Sequence, residues 1–257
     1  MAEKITLLIN LSFALALAAF GAAAAVYLFR ERVPRRVLPG LLAACWLALT
    51  AALGLLWLKL GRPPLSNQYE SLLTMLWFVF PFSFYFYRRY PAPEALWPAA
   101  FSAPVLLGVA SLLDKTARPL MPALRSDWLI LHVLSSMAAY AAFALAAVAA
   151  AAALARRKAA EDEDLLLRLA KAGFAALTLG IVSGSVWANT AWGAWWSWDP
   201  KETWSLLTWL AYAAALHLRR QGWRAHKFAI MMIVCFALVL FTYFGVNFLL
   251  SGLHSYA

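Results

Sequence analysis

Eight long apolar runs separated by short polar loops limit what this chain can fold into. They cover approximately residues 5–29, 38–60, 70–87, 95–113, 128–155, 165–188, 201–218 and 227–250. A helix needs about 20 apolar residues to cross the roughly 30 Å hydrocarbon core of a bilayer. Only helices and closed barrels satisfy their backbone in lipid, and the runs are continuous instead of alternating, which argues for helices. Charged residues make up 13% of the chain, about half the share of a water-soluble domain. The expected fold is all-α: a polytopic transmembrane helical bundle of about eight spans, forming a single domain over 1–257. Pro98 and Pro104 predict a kink in the fourth run. Helix 128–155 would reach roughly 42 Å, at about 1.5 Å per residue, and project from the bilayer.

The basic residues set an orientation. The net charge of +10 follows the loops, which in a membrane protein is a simpler reading than nucleic-acid binding. Arg30, Arg32, Arg35 and Arg36, then Arg88 and Arg89, then Arg156 to Lys171, then Arg219 to Lys227 fall in alternate loops and hold fifteen of the 22 basic residues. By the positive-inside rule these loops face the cytoplasm, and both termini lie outside it. The first run is too long for a signal peptide and its positive flank follows it, so a retained helix is expected. The acidic run Glu161 to Asp164 reads as a solvated turn. Cys45 and Cys235 sit far apart inside apolar runs, with no CxxC pair and no evidence of a disulfide.

Between the sixth and seventh runs lies Trp192-Gly193-Ala194-Trp195-Trp196-Ser197-Trp198-Asp199-Pro200-Lys201-Glu202-Thr203-Trp204-Ser205, read as a loop over 192–205 outside the cytoplasm. Five of the 13 tryptophans fall there. Isolated tryptophans such as Trp57, Trp97 and Trp223 need no role beyond anchoring at the interface. Five interleaved with Gly and Ser exceed anchoring and suit a large, flat, mostly apolar ligand. Asp199, Pro200 and Glu202 also fit the cap, first turn and capping box of a helix. Lys201 can pair with Asp199 or Glu202, or with an anionic group of the ligand. Asn67-Gln68-Tyr69-Glu70-Ser71 opens the third run. Glu70 there is either a cap-region acid favoured by the helix dipole or a partner behind a histidine ligand.

His132 and His254 lie at the same membrane face as the tryptophans. Two imidazoles flanking an aromatic platform suit bis-histidine ligation of a haem iron, although a single histidine at a membrane edge is as readily a hydrogen-bonded interfacial residue. His217 ends the seventh run near the opposite face, and an ionisable residue at an apolar run is a functional candidate. His226 lies between Arg224 and Lys227 and reads as a solvated loop residue.

WGxWWxWDPKETWS resembles the tryptophan-rich WWD signature of haem-handling proteins, in the form carried by the CcsA/ResC family of cytochrome c biogenesis (system II). The continuation DPKETWS fits this family better than the related CcmC or CcmF proteins. Asn67, Tyr69, Glu70 and Ser71 also match, and the likeness spans essentially the whole chain. The resemblance implies that His132 and His254 ligate haem iron outside the cytoplasm. It implies an inner site at His217 and a platform of Trp192, Gly193, Trp195, Trp196, Trp198, Asp199 and Trp204. Asn67, Tyr69, Glu70, Lys201 and Glu202 would stand behind it. It implies haem b as substrate, a CcsB/ResB partner supplying the second inner histidine, and an apocytochrome c acceptor. The expected function is haem export and attachment of reduced haem to a CxxCH motif, at a bacterial inner membrane. Catalysis would rest on positioning, with no acid–base pair assigned.

The alternative is a b-type haem electron-transfer membrane subunit, which would favour a histidine pair in one chain near each leaflet. The sequence offers no inner pair. A small-molecule transporter would show broken helices with polar residues near the midplane, and the mid-segment positions here are almost all apolar.

Overall fold

The computed structural model describes residues 1–29, 34, 36–89, 93–116 and 119–253. Arg30, Arg32, Arg35, Arg118 and His254 lie outside the described residues. Among the described residues every regular element is helical and none is a strand. The chain divides into two compact units, Met1–Ala117 and Arg118–Ala257.

The first unit holds α1 (Ala2–Phe29), α2 (Val37–Leu60), α3 (Gln68–Arg89) and α4 (Trp97–Leu112), the last preceded by a 3₁₀ turn, Pro93–Leu96. Side-chain pairs stitch the helices together. Phe20 of α1 meets Phe101 of α4 edge-on at 5.1 Å. The buried Cys45 thiol of α2 donates to the Ser12 carbonyl of α1. Trp77 of α3 donates its indole N–H to Thr50 of α2 at 2.9 Å. The outward side chains of α1 are Leu7, Leu11, Phe13, Leu17 and Phe20. A contiguous apolar face of this kind suits lipid, not water. Pro98 opens α4 and Pro104 lies inside it.

In the second unit α5 (Asp127–Ala155) and α6 (Glu163–Trp192) are followed by α7 (Pro200–Arg220) and α8 (Ala225–Leu240). A π-helical turn, Phe241–Gly245, leads into a short α9, Val246–Leu249. The alanine-rich α5 is its core, buried along most of its length. Glycines of α6 let α5 approach closely, as small residues do between membrane helices. Gly173 lies against the Phe143 ring, and a Cβ on Gly180 would stand 2.7 Å from Ser136 Oγ. Phe143 in turn stacks on Tyr212 of α7. The acidic run is not merely solvated. Glu161 pairs with Lys158, Asp162 with Arg156, Glu163 with Arg219 of α7, and Asp164 with Arg168.

Helix positions follow the apolar runs to within a few residues. The clearest difference is at α6, which runs on to Trp192. Asn189 and Thr190 look like loop residues in sequence, but Gly193 is where the helix stops, with φ 78 and its N–H on the Asn189 carbonyl. A left-handed residue at this position favours glycine. Among the described residues five helices are long and apolar enough to cross a bilayer: Ala2–Val26, Val37–Leu60, Asp127–Ala155, Glu163–Trp192 and Ala225–Leu249. The protein is a multi-pass, all-helical membrane protein.

Candidate functional site

The fourteen-residue tryptophan stretch is not one loop. Trp192 is the last residue of α6, and Lys201 to Ser205 are helical residues of α7. The loop itself is 193–199. Its turn into α7 is made by Trp198, whose φ of 60 is uncommon for a residue with a side chain. That turn leaves the Trp198 ring 69% exposed, and Trp195 is 57% exposed. Trp196 packs edge-on against Trp198 at 5.8 Å. Trp204 packs on Phe241 of the π-turn, 4.2 Å between centroids.

Two carboxylates hold the loop. Asp199 caps α7 by accepting from the Lys201 N–H at 2.9 Å. Glu202, itself buried, reaches back to accept from the Asp199 N–H, the Ser197 N–H and the Ser197 hydroxyl. Lys201 lies in the first turn of α7. Its ammonium donates to Asn247 Oδ1 of α9 at 2.8 Å.

His132 lies in the second turn of α5, at the end of the unit where α6 ends. Its ring is seated on α6. Nδ1 is 2.7 Å from the Gly180 carbonyl oxygen, which can only accept, so Nδ1 carries the proton and Nε2 the lone pair. A Cβ on Gly184 would stand 2.5 Å from Nδ1, so the imidazole rests directly on the helix backbone. Trp187 stacks over the ring at 6.0 Å and 14°. Trp187 is held by its own indole N–H on the Ala123 carbonyl, and Trp192 abuts it edge-on at 4.7 Å. Sequence reasoning missed Gly180, Gly184 and Trp187. The Gly-x-x-x-Gly spacing of 180 and 184 was the available signal, since it marks close helix approach.

His217 lies near the other end of α7, about 24 Å along the helix from Lys201 by the rise per residue. It is exposed, and Gln221 Nε2 donates to its Nε2 at 3.0 Å. It borders a cavity of about 620 Å³ with Glu163, Leu167, Lys171, Leu216, Arg219 and Arg220. Asn67, Tyr69 and Glu70 belong to the first unit. Glu70 is 2% exposed and takes both Arg62 guanidinium nitrogens, at 2.9 and 3.1 Å. It also accepts from the Ser66 N–H and hydroxyl and from Asn67 Nδ2. Asn67 Oδ1 caps α3 by accepting from the Glu70 N–H. The Tyr69 ring faces the Lys115 ammonium, 5.8 Å from its centroid.

Known proteins resemble this chain over most of its length. Residues 65–254 match the family described as Cytochrome C assembly protein. The cytochrome c biogenesis protein CcsA of Synechococcus sp. (strain RCC307) is 39% identical, over 86% of this chain and 85% of that protein. CcsA of Prochlorococcus marinus (strain NATL1A) is 37% identical, over 84% and 83%. Among solved structures, cytochrome c heme lyase CcmF aligns with a TM-score of 0.76 at 21% identity. That alignment covers 95% of this chain and 46% of CcmF, so the chain spans just under half of that protein and the likeness is one of fold.

Proposed function

The chain belongs to the cytochrome c assembly protein family, and from that premise we propose that it presents reduced haem to apocytochrome c at the tryptophan loop. The single observation that carries this reading is the seat of His132. The Gly180 carbonyl holds Nδ1 as a donor at 2.7 Å, which makes Nε2 the nitrogen with ligand chemistry. A hydrogen bond of this kind fixes the tautomer and orientation of a metal-binding histidine.

In this reading His132 and His254 bind the iron from two sides. Trp195 and Trp198 offer exposed indole faces to the porphyrin, and Lys201 stands in the first turn of α7, next to that loop, for a propionate. The acceptor's CxxCH thiols add across the haem vinyl groups. Each addition breaks one S–H bond and one C=C π bond and forms one C–S and one C–H bond, so no electrons leave. The residues of this chain position the reactants, which can remove much of the barrier to a two-partner reaction. His217 and its cavity form the inner haem site, with Lys171 and Arg220 near the propionates. A CcsB/ResB-type partner supplies the second inner histidine.

The same reading has eight spans in a bacterial inner membrane, with the tryptophan loop and both termini on the outer side. To the five apolar helices it adds α3, α4 and α7. Their 22 and 21 residues make α3 and α7 roughly 33 and 31 Å long. The alternation of basic loops supports the orientation.

The test is the reduced absorption spectrum of the purified chain, with and without its partner. His132→Gly and His254→Gly are expected to lose or shift the haem bands, and added imidazole to restore them. Haem missing from every preparation, the complex included, would sink the proposal.

A further inference from the structure

The Asp199 carboxylate does more than cap α7. Oδ1 accepts from the Lys201 N–H, as an N-cap should. Oδ2 accepts from the Leu253 N–H at 2.6 Å, across 54 positions of sequence. Asp199 is 6% exposed, so this charge-assisted bond is sheltered from water and among the stronger kind. Gly252 makes the approach possible: a Cβ there would collide with Asp199 Oδ2 and stand 3.0 Å from Pro200 Cδ. Two further contacts run along the same line. Lys201 holds Asn247, and Trp204 packs on Phe241. The chain from the π-turn to Leu253 is therefore laid back along the first turns of α7. The next residue in sequence is His254.

We propose that Asp199 is a positioning residue which, with Gly252, clamps residues 252 and 253 onto the tryptophan loop, so that the loop and the chain leading to the second proposed iron ligand are held as one body. The inference rests on the reading of His254 as a ligand. The aspartate of the tryptophan signature thereby has a task that helix capping does not require.

The clamp can be broken from either side without removing the cap. Gly252→Ala pushes the terminal segment off Asp199. Asp199→Asn keeps a cap of equal quality but has one acceptor where two are needed. The full chain would be purified with each substitution, with His254→Gly as reference and a melting temperature in detergent as the control for folding. Haem-free protein would be followed by hydrogen exchange and haem-loaded protein by its reduced spectrum. Both variants are expected to exchange the Leu253 amide about tenfold faster, a factor within reach of one lost bond to a charged group. The first turn of α7 should keep its protection. Both should move the haem spectrum in the direction of His254→Gly, and imidazole should return it. If His254→Gly shifts the spectrum while both clamp variants keep the wild-type spectrum, the clamp is overturned and the ligand stands. If His254→Gly itself has the wild-type spectrum, the ligand assignment fails, and the positioning role with it.

Discussion

Two loops lead into their helices by the same device, one in each unit. Ahead of α3, Ser66 gives its N–H and hydroxyl to Glu70 at 2.8 and 3.1 Å. Ahead of α7, Ser197 gives its N–H and hydroxyl to Glu202 at 2.8 and 3.2 Å. Each helix also has a capping side chain, Asn67 or Asp199. The difference lies in what else the carboxylates hold. Glu70 meets Arg62 in a two-pronged pair, whose side chains are 3% and 14% exposed, and the joint is closed on itself. The α7 joint leaves two tryptophans in the open, and its cap carboxylate reaches the far end of the chain. The first is a fastening. The second is the same fastening adapted to hold a surface.

The comparison predicts different failures. Glu70→Ala leaves the Arg62 guanidinium without its carboxylate in a sheltered site. Breaking a buried pair from one side costs about 3–5 kcal/mol, so this variant should show the largest fall in melting temperature and in yield. The protein that does fold should keep its haem spectrum. A spectrum altered with unchanged stability would mean that Glu70 acts behind a histidine and not as a fastening. Glu202→Ala orphans the Ser197 and Asp199 N–H groups, at about 1–3 kcal/mol for an unsatisfied buried group. Here stability and haem retention should fall together.

A third substitution separates joint from seat. Gly184→Ala leaves both loops intact but drives a methyl into the His132 ring. Loss of the partner that orients a metal-binding histidine typically lowers affinity about 10–100-fold. Haem affinity should drop by that order with little change in melting temperature. An unchanged affinity would remove the Gly180 carbonyl from any part in the site.

The sequence made the joint legible and the seat illegible, for a physical reason. Capping is local: Asp199, Pro200 and Glu202 sit within four residues, and Asn67 and Glu70 likewise. The eight apolar runs were legible because lipid demands them. The seat of His132 is not local. It comes from Gly180 and Gly184, 48 and 52 positions away, whose contribution is the absence of a side chain. Arg62 was hidden for a similar reason, since a lone arginine in a loop reads as charge and not as a partner. The acidic run misled in the other direction. Four carboxylates in a row look solvated, yet Glu163 reaches Arg219 on another helix. The end of α6 was set too early because Asn189 and Thr190 are polar, while the helix stops at Gly193.

The smallest expected effect concerns Lys201, where the α7 joint departs furthest from its counterpart. Arg62 is taken up by its pair with Glu70, whereas the Lys201 ammonium donates to Asn247 Oδ1 of α9. If Lys201 faces a haem propionate, Lys201→Gln should lower haem affinity severalfold, since one partly exposed charge contact is worth about 0.2–1 kcal/mol. Lys201→Arg should retain most of that affinity by keeping the charge. Titrating haem binding and recording the melting temperature on the same samples separates a contact with haem from a contact within the fold. An equal affinity in the wild-type protein and in Lys201→Gln would assign Lys201 to its bond with Asn247 alone, and the α7 joint would then differ from the α3 joint only in what it exposes.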